Sequence, residues 1–191
     1  MKTVAFIPAR GGSVRVPRKN IRDFRGKPII AYSIENAQKC GLFDDIYVST
    51  DDAEIWDVAV KYGAKPTPRP TDDGSRGTQE IAGEFLRSPL GAKYGICCCL
   101  YATAPLLDWR HLYWSWQGLH SFGSCYVYAV DEDKRDVGAL YWGPTQAFRE
   151  NIPLDGNSAF FQLPQDRCCD INTEDDWLRA EQMYDALQGK A

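Results

Sequence analysis

An apolar run, VAFI at residues 4–7, opens the chain, and the polarity then changes abruptly at Pro8. Residues 2–8 read as a buried strand. Further on, Ile29, Ile30, Ile34 and Ala37 recur on one face. With Pro28 suited to a first turn and Gly41 to termination, they predict a helix over 28–40. The same alternation runs down the chain. Strands are expected at DIYVST (45–50), YGICCCLY (94–101), SCYVYAV (124–130), ALYW (139–142) and FFQL (160–163). Helices are expected over 52–62, 78–87, 108–120, 144–150 and 173–188. Unbroken apolar character marks 94–101 as a central strand. Thr173 and Asp176 stand at capping-box spacing before the last helix. KPTPRP (65–70) reads as a loop, because proline disfavours helix there.

Strands alternating with helices predict an α/β fold of three layers, αβα, around a doubly wound and mostly parallel sheet. The 191 residues suit one domain, 1–191. Ligands of such sheets bind beyond the carboxyl ends of the strands. Four segments are expected there: the loop after the first strand, STDD, YATAP and DINTEDD.

The first of these, IPARGGSVRVPRKN (7–20), gathers Arg10, Arg15, Arg18 and Lys19 beside Gly11, Gly12 and Ser13. Net charge is −4 and the pI near 5.2, which argues against a general nucleic-acid binder. The positive charge is therefore local and points to a small anion, with a solvated basic loop as the plainer alternative. The loop is neither of two familiar phosphate loops. Gly26-Lys27 is followed by Pro28, Ile21 stands where a P-loop has its first glycine, and no G-x-G-x-x-G occurs. Its length and charge suit a triphosphate with a metal ion better than a single phosphate.

Other features narrow the classes. Cys97, Cys98 and Cys99 alternate faces of an apolar strand, so they read as small core residues. The seven cysteines show no C-x-x-C spacing and fit a reducing cytoplasm. The N-terminal apolar run is too short for a signal peptide, and no stretch reaches membrane-span length, so no membrane partner is expected. Trp109, Trp114 and Trp116 fall on one helix, where core or interface is the expected role.

The string IPARGGSVRVPRKNIRDFRGKPIIAYSIE resembles the N-terminal signature of the acylneuraminate cytidylyltransferase family, enzymes of a nucleotide-diphospho-sugar transferase-like fold. The resemblance continues in order through LFDDIYVSTDDAEIWDVAVKYGA, the RP at 69–70, CCCLYATAPLL, ALYWG and DINTEDDWLRAEQMY. YATAP and YWG resemble the pseudaminic acid branch more than the N-acetylneuraminate branch. The resemblance implies that CTP and a nonulosonic acid are the substrates. The acid's 2-hydroxyl attacks the α-phosphorus, pyrophosphate leaves, and Mg2+ assists. It assigns Arg10 and Lys19 to triphosphate binding and leaving-group stabilisation. It implies that Gly11, Gly12 and Ser13 supply the backbone cradle, that Ala9 is nucleotide-binding, and that Arg15 is a reserve charge if it turns inward. Asn20 fixes the loop or touches the nucleotide, while Arg18 is read as a solvated flank. Arg69 helps hold the nucleotide or is an exposed loop arginine. Thr78 contacts the nucleotide or starts its helix, the helix start being preferred. Tyr101, Thr103 and Pro105 lie where the family shapes its substrate pocket, Tyr101 being equally suited to a core. Asp170 and Asn172 occupy the metal-binding D-I-D-T position, with helix capping the alternative for Asn172.

Three departures accompany the resemblance. Val14 replaces a lysine, and Asn172 replaces a metal-binding aspartate. Residues 131–138 stand where the family carries a much longer dimerisation arm. They leave three readings open: a nonulosonate cytidylyltransferase, a nucleotide-binding homologue with reduced or no transfer, or a nucleotidylyltransferase for another sugar acid. They also leave either a homodimer through another surface or a monomer.

Overall fold

Val4, Ala5, Phe6 and Ile7 are all fully buried, which requires a strand covered on both faces. The computed structural model describes residues 1–69, 74–122, 125–154 and 157–189. In chain order it contains β1 (Thr3–Pro8), a small hairpin of β2 (Asp23–Phe24) and β3 (Lys27–Pro28), α1 (Ile29–Cys40), β4 (Asp45–Thr50), α2 (Ala53–Lys61) and β5 (Lys65–Pro68). Then follow α3 (Thr78–Arg87), β6 (Ile96–Leu100), α4 (Trp109–Phe122), β7 (Val127–Val130), β8 (Asp136–Pro144), α5 (Thr145–Arg149), β9 (Ala159–Gln162) and α6 (Glu174–Gln188).

The main sheet has the order β5-β4-β1-β6-β8-β7-β9. Neighbours pair in parallel except around β8, which runs against both β6 and β7. Alternate residues feed opposite layers. Ala5, Ile7 and Cys98 pack with Ile30 and Ile34 of α1, Ile55 of α2 and Leu112 of α4. Val4, Phe6, Cys97 and Cys99 pack with Phe85 of α3 and Phe148 of α5. The three cysteines are therefore core, as their alternation predicts. A third cluster ties the chain's ends together: Val16 of the opening loop, Phe24, Ile29 and Tyr32 bury with Ile171, Trp177 and Ala180. It is this cluster that brings residues 170–172 to the opening loop.

Three boundaries differ from the sequence reading. Residues 65–68 form a strand rather than a loop, paired in parallel with β4. They lie at the sheet edge, where proline's missing N–H costs no ladder bond. β8 is nine residues long and begins well before Ala139, at a polar start that hides its strand character. Pro28 precedes α1 in an extended conformation instead of occupying its first turn. The Thr173–Asp176 capping box is present, so Thr173 caps α6 and Asn172 does not. Between β7 and β8, Asp131 Oδ1 accepts the N–H groups of Asp133 (2.9 Å) and Arg135 (2.8 Å), closing a tight turn. Pro70 and Ser124, both within expected motifs or elements, lie outside the described residues.

At the amino end of the sheet, Asp45 accepts hydrogen bonds from Lys65 and the Tyr94 hydroxyl and pairs with Lys93 at 3.2 Å. Burial acts to raise its pKa, but Lys65, Tyr94 and Lys93 outweigh burial and hold it at about 2. A depressed folded-state pKa gives stability that is present at neutral pH and lost as pH falls from about 4 toward 2. Discounted for the exposed lysines, about 1–2 kcal/mol is expected to go in that window. Urea titrations at successive pH values check this, because Asp45→Asn should flatten the dependence there; an unchanged slope refutes the assignment.

Candidate functional site

β1 ends at Pro8, and the chain then folds over the carboxyl end of the sheet. Ala9 donates its N–H to Ser49 O (2.9 Å) and is fully buried, so it anchors the loop from behind. Gly11 donates its N–H to Asp51 Oδ1 at 2.8 Å. A Cβ at Gly11 would lie 2.5 Å from Asp52 Oδ2, so only glycine permits this approach. Ser13 donates its N–H to Gly11 O (3.0 Å). The N–H groups of Gly11 and Ser13 are thus engaged within the protein. Here they shape the loop.

Arg18 also departs from expectation. It is not a solvated flank, because its guanidinium takes both oxygens of Asp52 (2.5 and 3.1 Å) and Glu54 (2.7 Å). Asp52 in turn caps α2 by accepting the Ile55 N–H (3.0 Å). Hydrogen bonding to Arg18 holds the Asp52 carboxyl below its usual range, against the opposing effect of burial. Asn20 is buried and donates to Arg10 O (2.9 Å), so it fixes the loop.

What remains directed into the open is a cleft of about 210 Å³. One wall is Arg10, Ser13, Lys19 and Asn20 of the opening loop; the others are Arg69, the segment Gly74–Thr78 with Ile81, and Tyr101 to Thr103 after β6. Arg10 lies against Gly74, where a Cβ would stand 2.5 Å from the guanidinium carbon. Lys19 Nζ donates to Ile171 O at 2.6 Å. Burial pushes the Lys19 ammonium below its ordinary pKa, Arg15 and Arg10 push the same way, and Asp170 opposes them. The cleft therefore concentrates cations whose charge is only partly met, as an anion site requires.

The sequence-selected residues do not all line this cleft. Gly12 is exposed, and Arg15 turns away to donate to Asn172 Oδ1 (3.2 Å). Asn172 Nδ2 donates to Asp170 Oδ2 at 2.6 Å. Thr78 is the first residue of α3, and its hydroxyl reaches the Tyr101 hydroxyl at 3.1 Å. Tyr101 is partly buried and Thr103 is buried, both on the cleft wall. Arg69 lines it as well, with its N–H on Thr50 O (3.2 Å). Sequence reasoning passed over Gly74 and Arg76. Arg76 reaches the cleft while bound to Glu80 (2.9 Å) and Glu84 (2.6 Å), a basic residue just before a helix being its only local signal.

Among the described residues, no three His, Cys, Asp or Glu side chains converge as a ready metal cage. Asp170 is an exposed carboxylate, while the Asn172 oxygen is occupied by Arg15. One carboxylate suits a divalent cation that carries most of its ligands as phosphate oxygens and water.

Known proteins resemble this chain in sequence and in fold. The family model described as Cytidylyltransferase matches residues 4–127. A pseudaminic acid cytidylyltransferase of Campylobacter jejuni is 39% identical over 225 residues, covering 96% of this chain and 97% of the relative. That span exceeds the 191 residues of this chain, so the relative carries residues with no counterpart here. N-acylneuraminate cytidylyltransferase B of Danio rerio is 28% identical over 216 residues, covering 93% of this chain and 50% of the relative. Among solved structures, a CMP:2-keto-3-deoxy-manno-octonic acid synthetase complexed with CTP superposes with a TM-score of 0.77 at 16% identity, covering 97% of this chain and 99% of the other, which shows a shared fold.

The two loop glycines separate cleanly. A Cβ at Gly12 meets nothing within 4 Å, whereas one at Gly11 collides with Asp52. Gly12→Ala is expected to change stability by less than about 0.5 kcal/mol and Gly11→Ala to cost about 2 kcal/mol. Denaturant unfolding of the two variants measures both, and equal effects would contradict the close approach.

Proposed function

The chain belongs to the cytidylyltransferase family, and from that premise we propose that it transfers the cytidylyl group of CTP to a nonulosonic acid, yielding the CMP-sugar and pyrophosphate. The observation that carries the reading is the convergence of Arg10 and Lys19 on one cleft, from a loop locked by Asp51 and Asp52. A 2-hydroxyl oxygen of the acid bonds to the α-phosphorus, the bond to the bridging oxygen breaks, and pyrophosphate departs with that electron pair. The hydroxyl proton passes to water. Negative charge grows on the transferring and leaving phosphates, and preplaced cations stabilise it without reorganising. Arg10 and Lys19 supply them. Arg69, on the same cleft, holds the nucleotide. Asp170 would hold a magnesium ion bound with the nucleotide, which supplies further charge neutralisation between phosphates.

Among nonulosonic acids the reading favours pseudaminic acid. The Campylobacter relative, aligned along nearly the whole of both chains, and the segments YATAP and YWG support it. A cytoplasmic setting is supported by seven free cysteines. No helix among the described residues is long and apolar enough to cross a membrane. The tight Asp131–Arg135 turn joins β7 to β8 directly, which supports the reading that a homodimer uses another surface.

Pyrophosphate release from CTP, magnesium and pseudaminic acid tests the proposal. Arg10→Ala and Lys19→Ala are each expected to lower kcat/KM by about 10²-fold with the fold retained by circular dichroism. Binding of CTP without pyrophosphate release from any nonulosonic acid would instead leave a nucleotide-binding homologue. A second expectation concerns the departures. Asn172→Asp adds a second carboxylate beside Asp170 and should raise magnesium affinity about tenfold by calorimetric titration. Combining it with Val14→Lys should be non-additive by at least about 0.5 kcal/mol, because Arg15 already contacts position 172. Strict additivity would separate the two positions energetically.

A further inference from the structure

Four hydroxyl and carboxylate groups form a chain that begins in the cleft and ends outside it. Thr78 Oγ1 lies 3.1 Å from Tyr101 Oη, Tyr101 Oη lies 3.4 Å from Tyr141 Oη, and Tyr141 Oη lies 2.6 Å from Asp136 Oδ2. Thr78 and Tyr101 line the cleft; Tyr141 is buried behind Tyr101, and Asp136 stands at the exposed start of β8. Asp136 is fixed by its other oxygen, which accepts the Gly138 N–H at 2.9 Å. Gly138, at φ +58°, lies against Tyr101, and a Cβ there would come within 3.2 Å of its ring. The hairpin strand is therefore pressed onto the cleft wall.

The direction of the chain follows from its end. An ionised carboxylate only accepts, so Tyr141 must donate to Asp136. With its one hydrogen spent, Tyr141 can only accept from Tyr101, and Tyr101 in turn can only accept from Thr78. Every hydrogen points away from the cleft, and lone pairs point into it. Burial raises the pKa of Tyr141, with Tyr101 and Asp136 adding to the effect, and burial raises that of Tyr101. Both phenols therefore keep their protons at neutral pH.

We propose that Asp136 and Tyr141 are positioning residues that set the hydrogen-bond polarity of this wall, so that Thr78 and Tyr101 meet the ligand as acceptors and select a hydroxyl or amino donor. The wall formed by Thr78 and Tyr101 thus reads an uncharged donor. Naming the ligand rests on the cytidylyltransferase reading. The donor belongs to the base amine of CTP, to its ribose, or to a hydroxyl of the sugar acid.

Asp136→Asn decides the matter. Its amide oxygen keeps the Gly138 N–H, while its NH2 donates to Tyr141 and reverses the chain, turning a hydrogen toward the cleft. The change is nearly isosteric and exposed, so the fold is retained where the buried Tyr141→Phe risks losing it. Equilibrium titrations of CTP, UTP, 2′-deoxy-CTP and 3′-deoxy-CTP, and of pseudaminic acid onto CMP-loaded protein, read the effect without needing turnover, so an inactive protein does not obscure the result. The wild-type protein is expected to favour the donor-bearing ligand about tenfold over the analogue lacking it, and Asp136→Asn to cut that preference below about threefold. A collapse confined to UTP assigns the base amine, one confined to a deoxynucleotide assigns the ribose, and a tenfold loss confined to pseudaminic acid assigns the sugar. Preferences and affinities that all stay within twofold of wild type overturn the proposal, as does an equal weakening of every ligand, which a merely structural role would give.

Discussion

Asp51 and Asp52 sit where β4 runs out and α2 begins, and between them they hold a glycine N–H and a guanidinium of the loop that follows β1. Four cations within ten residues would otherwise repel one another. Asp52 and Glu54 neutralise Arg18, and Arg15 turns outward to Asn172. Arg10 and Lys19 are left facing the cleft, where their charge is least screened. The same Asp52 caps α2, so helix start, loop closure and charge sorting share one side chain. The tolerance for change there is correspondingly small, as the lack of room at Gly11 shows.

The unusual residues at positions 14 and 172 acquire a common meaning from the third core cluster. Val16 and Ile171 bury together, which places the opening loop beside residues 170–172 from the far end of the chain. Val14 itself is 87% exposed, while its neighbour Arg15 contacts Asn172. Relative to the pattern that the resemblance implies, one positive and one negative charge are missing from the same neighbourhood. Their joint loss leaves the local balance unchanged. An amide at 172 also serves both neighbours at once, giving its oxygen to Arg15 and its nitrogen to Asp170. A carboxylate in that place would oppose Asp170 unless a cation lay between them.

The layered fold was legible because β1 and β6 are buried on both faces and the helices keep one apolar side. The Thr173 capping box and the terminating Gly41 were legible because their signals are local. β5 was not, since prolines read as loop until the edge position is known, and the polar start of β8 hid its first three residues. The cations of the site stood out by concentration alone. Their partners did not: Asp51, Asp52 and Gly74 are joined to the loop by contacts across 34 or more residues, and no spacing rule marks such pairs. The acceptors that the Gly11 and Ser13 N–H groups use were hidden for the same reason, because they appear only once the loop is folded.

The short connection at 131–135 has a structural consequence. Asp131 closes the turn on its own side chain, and β8 pairs with β7 from Asp136 opposite Val130. Asp136 stands five residues ahead of Tyr141, and its carboxylate reaches the phenol beside its own strand. It also carries Gly138 onto the face of Tyr101, where a side chain would crowd the ring. A long excursion at this place would free the start of β8 from the turn that now fixes it. In this chain Tyr101, on the cleft wall, is instead backed by Asp136, Gly138 and Tyr141 of the one strand β8.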